Sequence, residues 1–250
     1  MQTRQPARNR PPLVEPLESR TMLSAAPTTV TSIKVSTHAL DLGQSVTVSF
    51  AVKGSRHSGK LVGYVELLDN GSPIVAAGND VTVGLKNGKG NYRFGPGDAA
   101  LFTGTHQISA EFVSGNSLPD STSASETITV VEPTLTTTSD GLGIATFGKG
   151  KGKAIKDSQE ATVAYTGFLA ADGTIFDYAT AHSPPTLSFQ VGVGAVIQGF
   201  DEGTLGMKVG QTRVLDIPSA IGYGSAGAGS SIPPDAELFF LVTLDKISKA

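Results

Sequence analysis

The sequence predicts a mostly β protein of two domains. An antiparallel β-sandwich comes first, and an α+β unit follows, in which a curved antiparallel sheet wraps one short helix. Three observations lead there. Apolar residues alternate with polar ones in short runs, the period of a half-buried strand. Glycine is abundant, with 30 residues dividing those runs, and the apolar fraction is a modest 39%. Only one stretch, near residues 199–207, reads as a helix between strands. At 250 residues the chain has room for about two domains of ordinary size.

The first domain spans residues 28–131. "QSVTVSFAV" sets Val46, Val48, Phe50 and Val52 on one face of a strand. "YVELLDNGSPI" carries a strand into Asn70-Gly71, a strong hairpin signal. "DVTVGL", "NYRF", "HQISAEFV" and "ETITVV" follow at short intervals with no helical period between them. Such spacing suits an antiparallel sandwich. Residues 132–140 read as a linker, because Pro133 stops a strand and the Thr/Ser run buries little.

The second domain covers residues 141–250. "EATVAYTGFL" alternates Val163, Tyr165, Gly167 and Leu169, and "TLSFQVG" offers Leu187, Phe189 and Val191. "QTRVLDIP" is a further strand, and "AELFFLVTLDKI" sets Leu238, Phe240, Val242 and Leu244 on one face. The single helix is unusual at its mouth: "VIQGFDEGTLGMKVGQ" opens on Val196, Ile197 and Phe200 where a polar cap is expected. Either these residues are ordinary core or they floor a pocket whose chemistry needs no reactive side chain.

Composition excludes several functions. The net charge of −3 is small and dispersed, so no basic face is present to track phosphates and nucleic acid is not an expected partner. With no cysteine there is no disulfide, thiolate or Cys-based zinc site. No apolar run approaches the roughly 18 residues that span a bilayer. His38, His57, His106 and His182 are scattered without ligand spacing, and no metal or other cofactor is expected. "GYGSAG" (222–227) fits G-x-G-x-x-G, yet Pro233-Pro234 forbids the helix a dinucleotide site requires. "GKGKGKAIK" (148–156) is better read as a solvated turn than as a phosphate loop.

Three resemblances add to this reading. "PLESRTMLS", within residues 1–27, is similar to a short N-terminal segment of exported and surface proteins of bacteria. It implies a disordered leader outside the fold and a location in the cell envelope, at the surface or outside the cell. "LGQSVTVSFAV", "GYVELLDNG" and "FTGTHQISAEFVSGN" resemble bacterial immunoglobulin-like repeats, which implies a spacer or adhesive module.

"VAYTGFLAADGTIFDYA", "VIQGFDEGTLGMKVGQTRVLDIP", "IGYGSAG" and "SIPPDAELFFLVTL" resemble the FKBP-type peptidyl-prolyl cis-trans isomerases in order and spacing over nearly the whole second domain. That resemblance implies catalysis of X–Pro bond isomerisation in proline-containing polypeptides by a monomer. It also implies a pocket with Tyr165, Phe176, Asp177, Tyr223 and Phe240 in catalytic positions. Leu187, Val196, Ile197, Phe200 and Ile232 then bind substrate. By the same resemblance the Ile197 N–H and the Tyr223 hydroxyl hold substrate carbonyls, and Asp177 orients polar groups at the rim. Phe200 stands where the family often has Trp, and Leu187 where it often has Phe. The basic residue that often follows Phe-Asp is missing, with "TAHSPP" near that point. The loop after Tyr223 offers the small groups Ala228 and Ser231, so only weak macrolide binding is expected. A second reading from another class is a surface adhesion or scaffold protein whose isomerase-like domain grips proline segments without catalysis.

Overall fold

Alternating sequence becomes paired strand wherever one face has a core to enter. The computed structural model of the protein describes residues 26–56, 59–76, 79–96, 100–179 and 186–249. The leader-like residues 1–25, together with His57, His182 and Ser183, lie outside them.

The first half holds β1 (Thr29–Val35), β2 (Ala39–Asp41), β3 (Val46–Gly54), β4 (Gly63–Asp69), β5 (Ser72–Pro73), β6 (Val75–Ala76) and β7 (Asn79–Asp80). These are followed by β8 (Thr82–Gly84), β9 (Lys89–Phe94), β10 (Gly104–Ser114), β11 (Ser121–Thr122) and β12 (Glu126–Val131). One sheet is ordered β1-β3-β9; the other is β2-β12-β10-β4-β5, with β11 on β10 and β8 on β4. Strands β6 and β7 pair with each other. Val46, Val48, Phe50 and Val52 of β3 are all buried and share one core with Val65, Leu67, Ile108, Ala110, Phe112 and Ile128 of the other sheet. Asn70 and Gly71 both take positive φ, 51° and 81°, the conformation that joins β4 to β5 in a two-residue hairpin. Pairing in this half is antiparallel except between β12 and β2, which run parallel. A parallel pair cannot be closed by a tight turn, so the period-two pattern gave no sign of it.

The second half holds β13 (Thr136–Thr137), β14 (Gly143–Phe147), β15 (Gln159–Leu169), β16 (Ile175–Ala179), β17 (Leu187–Gln190), α1 (Gln198–Thr204), β18 (Thr212–Ile217) and β19 (Leu238–Lys249). Its sheet is ordered β13-β14-β18-β19-β15-β16, antiparallel throughout, with β17 on β15. The expected linker contributes β13, so part of it pairs into this sheet. The helix begins one residue earlier and ends three earlier than the pattern suggested. It lies tight against β18, because Gly199 and Gly203 present no Cβ. A Cβ there would stand 2.6 Å from Ile217 and 2.5 Å from Leu215. Arg213 Nη1 donates to the Gly203 and Leu205 carbonyls at 2.8 and 2.7 Å, placing a cation at the helix C-terminus.

Strand β19 is buried on both faces from Leu238 to Val242. Leu238, Phe240, Val242 and Leu244 enter the core around the helix, while Phe239 and Leu241 join the core of the first half. The run "LFFLVTL" is accordingly continuous rather than alternating, the signature of a strand covered on two sides. Ala145, Phe168 and Val214 of the same outer face also meet the first half. Phe102, from the segment before β10, packs on that face with its ring centroid 5.0 Å from Phe168 and 5.9 Å from Phe239.

Candidate active site

Strand β15 pairs with β19 on one side and with β16 and β17 on the other, and carries Tyr165 toward the helix side. Across the sheet β19 brings Phe240, and from below the helix brings Phe200. The three rings meet edge-on or tilted: Tyr165–Phe200 at 5.6 Å, Phe200–Phe240 at 5.1 Å and Tyr165–Phe240 at 6.0 Å. Phe189 of β17 supports Phe200 from behind at 5.7 Å. Above them opens a pocket of about 500 Å³ lined by Tyr165, Asp177, Leu187, Gly194, Ala195, Val196, Ile197, Phe200, Tyr223 and Phe240.

Eight of the ten residues expected from the sequence therefore line one cavity. The other two do not. Phe176 packs edge-on against Phe240 at 5.4 Å and braces the wall, its ring occupying the space left where Gly167 has no Cβ. Ile232 is 6% exposed and sits in the core behind the pocket. Both side chains belong to the layer that fixes the cup.

Polar groups stand at the rim. Tyr165 Oη donates to Asp177 Oδ2 at 2.5 Å, and Asp177 Oδ1 accepts the Tyr178 N–H at 2.9 Å. Burial, then the hydrogen bond to Asp177 and its charge, push the Tyr165 phenol well above its ordinary range. Burial and the Asp177 charge push Tyr223 up in the same direction. Both phenols stay protonated at neutral pH and remain donors. Tyr223 is 37% exposed, and among the described residues its hydroxyl makes no hydrogen bond.

Ile197 is the helix N-cap, with φ −58° and ψ 146° and no side-chain cap. Its carbonyl accepts from Phe200 N and Asp201 N, while its own N–H has no acceptor among the described residues. A cap without a polar side chain leaves a donor at the pocket and keeps the lining apolar, which accounts for the greasy helix opening.

Sequence reasoning missed Asp201. It is 6% exposed, and its carboxylate takes the Gly192 N–H at 2.7 Å and the Gly194 N–H at 2.9 Å. That clamp holds the wall from Gly194 to Val196 in place. An acid in the first helical turn, just after a Gly-x-Gly run that needs amide acceptors, was the available signal. The loop after Tyr223 is also pinned: Ala228 and Ile232 exchange backbone hydrogen bonds at 2.9 and 3.1 Å, and Asp235 N donates to the Gly224 carbonyl at 3.0 Å. Gly227 is required there, since at φ 62° a Cβ would stand 2.3 Å from the Ile232 carbonyl oxygen. The lysine-rich turn is exposed at Lys151 and Lys153, with Lys151 N bonded to the Val209 carbonyl. Among the described residues no group of three or more His, Asp or Glu is disposed to hold a metal ion.

An aromatic cup in a sheet-and-helix scaffold, with hydrogen-bond donors at its rim, defines the class of site: an apolar pocket with few polar groups. Comparison with known proteins gives that class its family. The model of the FKBP-type peptidyl-prolyl cis-trans isomerases matches residues 151–245. An FK506-binding protein of Neisseria meningitidis serogroup B is 49% identical over 107 residues, 43% of this chain and 96% of that one. FK506-binding protein 1 of Dictyostelium discoideum is 42% identical over 104 residues, 42% of this chain and 95% of its own. A peptidyl-prolyl cis-trans isomerase of Saccharomyces cerevisiae is 46% identical over 88 residues, covering 35% of this chain and 64% of that one. Among solved structures, FkpA from Escherichia coli aligns with TM-score 0.43 and 38% identity, over 48% of this chain and 54% of that one. Through residues 151–245 the chain belongs to the FKBP-type peptidyl-prolyl cis-trans isomerases.

Proposed function

We propose that this isomerase acts on exported or surface polypeptides, with residues 28–131 forming an immunoglobulin-like mount and residues 141–250 the catalytic unit. The observation that carries the site assignment is the convergence of Tyr165, Phe200 and Phe240 beneath the Ile197 N–H, which has no acceptor among the described residues.

An X–Pro bond turns over a barrier near 20 kcal/mol, because resonance gives its C–N bond partial double-bond character. Unassisted exchange takes roughly 10–100 s. The proline ring enters the cup with Phe200 as floor and Phe240 and Leu187 as walls. The Ile197 N–H and the Tyr223 hydroxyl donate to carbonyls on either side, holding the chain while the bond rotates. Twisting the imide reduces its charge separation, so an environment poor in water destabilises the planar forms more than the twisted one. Asp177 fixes the Tyr165 ring and sets the negative potential at the rim. Macrolide binding is weak in this reading, because the loop that would cover such a ligand offers small groups, Ala228 and the solvent-facing Ser231 among them.

The export role rests on the resemblance of residues 1–27 to surface-sorting segments. Fractionation of cells producing the whole chain tests it; recovery solely from the cytoplasm would sink it. NMR exchange spectroscopy on a Leu-Pro peptide with catalytic amounts of the chain tests the site. Accelerated exchange is expected, and saturable binding without acceleration would assign the pocket to capture alone.

A further inference from the structure

The segment that carries Phe102 is tied down by one histidine. His106, at the start of β10, has Nδ1 2.6 Å from Asp69 Oδ2 on β4 and Nε2 2.8 Å from the Phe102 carbonyl oxygen. A backbone carbonyl and an ionised carboxylate are both acceptors. Two bridging protons are therefore needed to satisfy the chain Asp69–His106–Phe102, whichever atoms they rest on. A neutral imidazole beside a carboxylate supplies one. Deprotonation must break one bond, and the remaining N–H stays with the charged partner, since charge-assisted hydrogen bonds are roughly twice as strong. The Nε2 lone pair then faces the Phe102 carbonyl and repels it.

What that carbonyl positions is the joint between the two halves. The Phe102 ring lies against Phe168 and Phe239 on the outer face of the catalytic sheet. It also fills the space above Gly173, where a Cβ would come within 2.4 Å of Phe102 Cδ1. From the other side Gly43 admits Phe147 and Val214 in the same manner, at 2.7 and 2.9 Å. The strands paired with β10 carry Glu66 and Asp69 on β4 and Glu126 on β12; of these Asp69 is the one bonded to His106, and Glu126 lies 3.9 Å from His38.

We propose that His106 is a proton-dependent latch: with its second proton it seats Phe102 on the catalytic domain and fixes which way the proline pocket faces, and without it the joint loosens. Burial lowers the histidine's affinity for that proton, but the bonds to Asp69 and to the Phe102 carbonyl and the Asp69 charge outweigh it and raise the pKa. The latch is thus closed in mildly acidic surroundings and opens as pH climbs through and above the ordinary histidine range near 6.5.

The chain lacks cysteine, so a pair of labels is simple to place. Full-length protein carrying Ser49→Cys and Lys246→Cys, spin-labelled at both, is read by pulsed electron paramagnetic resonance at pH 5.5 and pH 9. A single narrow distance distribution is expected at pH 5.5, with a distribution at least twofold broader at pH 9. His106→Gln should lose the dependence on pH, and Phe102→Ala should be broad at both values. Imidazole ¹⁵N spectra of the unlabelled chain provide a check that needs no substitution, and should show both ring nitrogens protonated at pH 5.5. A distribution that is identical at the two pH values, or a dependence that survives His106→Gln, would overturn the latch. So would a ring carrying one proton at pH 5.5 beside an ionised Asp69 carboxylate.

Discussion

The ring centroids of Phe102 and Phe168 lie 5.0 Å apart, although one belongs to the sandwich and the other to the outer face of the catalytic sheet. That face contributes Phe239 and Leu241 to the same core, so the two halves share buried surface. Phe102→Ala should cost about 2 kcal/mol, below the 3–5 usual for a fully buried phenylalanine because Phe102 is only half-buried. Urea unfolding reads this directly. Two separated transitions in the variant, against one in the parent chain, would show that Phe102 couples the halves; no change in the midpoint would show that the contact is idle.

Asp177 touches the catalytic cup through Tyr165, and the bond between them is charge-assisted. Losing such a bond costs about 1.5–3 kcal/mol, so Asp177→Ala should lower kcat/KM roughly 10- to 100-fold with circular dichroism unchanged. Tyr165→Phe keeps the ring contacts with Phe200 and Phe240 and should fall less. Equal activity in both variants would move the rim chemistry away from this pair.

Asp201 acts at one remove, as a positioning residue. Asn at this place has one carbonyl oxygen for the two amides of Gly192 and Gly194 and points an NH₂ at the second. Asp201→Asn should raise KM more than it lowers kcat, because the Gly194–Val196 wall is displaced while the aromatic floor remains. Stability should drop by about 1–3 kcal/mol, the cost of leaving a buried partner unsatisfied. A pure stability loss with KM intact would restrict Asp201 to the fold.

Asp216 of β18 offers a test by pH. Burial first, then the charge and hydrogen bond of Glu237 and the charge of Glu132, push its carboxyl up to about 7. Its Oδ1 is buried with no hydrogen-bond partner among the described residues. A carboxyl that is raised in the folded state binds more protons folded than unfolded across the interval from about 4 to 7. Its stabilisation is therefore complete below pH 4 and is lost as pH rises to 7. Asp216→Asn should shrink the decline in the urea midpoint between pH 4.5 and 7.5 relative to the parent. An unaltered difference would show that the Asp216 carboxyl is ionised throughout.

Much of this was legible in the order of residues. The alternation of Val46, Val48, Phe50 and Val52 gave a strand and its buried face, because side chains in a strand point to opposite sides in turn. Asn70-Gly71 gave its hairpin, because that turn needs two positive φ angles. The apolar opening Val196, Ile197 and Phe200 gave the pocket floor. Phe176 and Ile232 stand in the core beside the cavity and do not border it, and an apolar residue reads the same in either place.

By itself, then, the sequence determined the strand content through local period and turn chemistry, and its resemblance to the family through spaced motifs implied eight of the residues that line the pocket. Only the tertiary structure decided that the core of the first half covers the second face of β19, that Asp201 ties down the pocket loop, and that His106 holds the segment bearing Phe102. The first and last depend on residues from separate parts of the chain meeting at hydrogen-bond or van der Waals distance, which no local pattern records, while Asp201 meets Gly192 and Gly194 only because the intervening loop folds back on the helix.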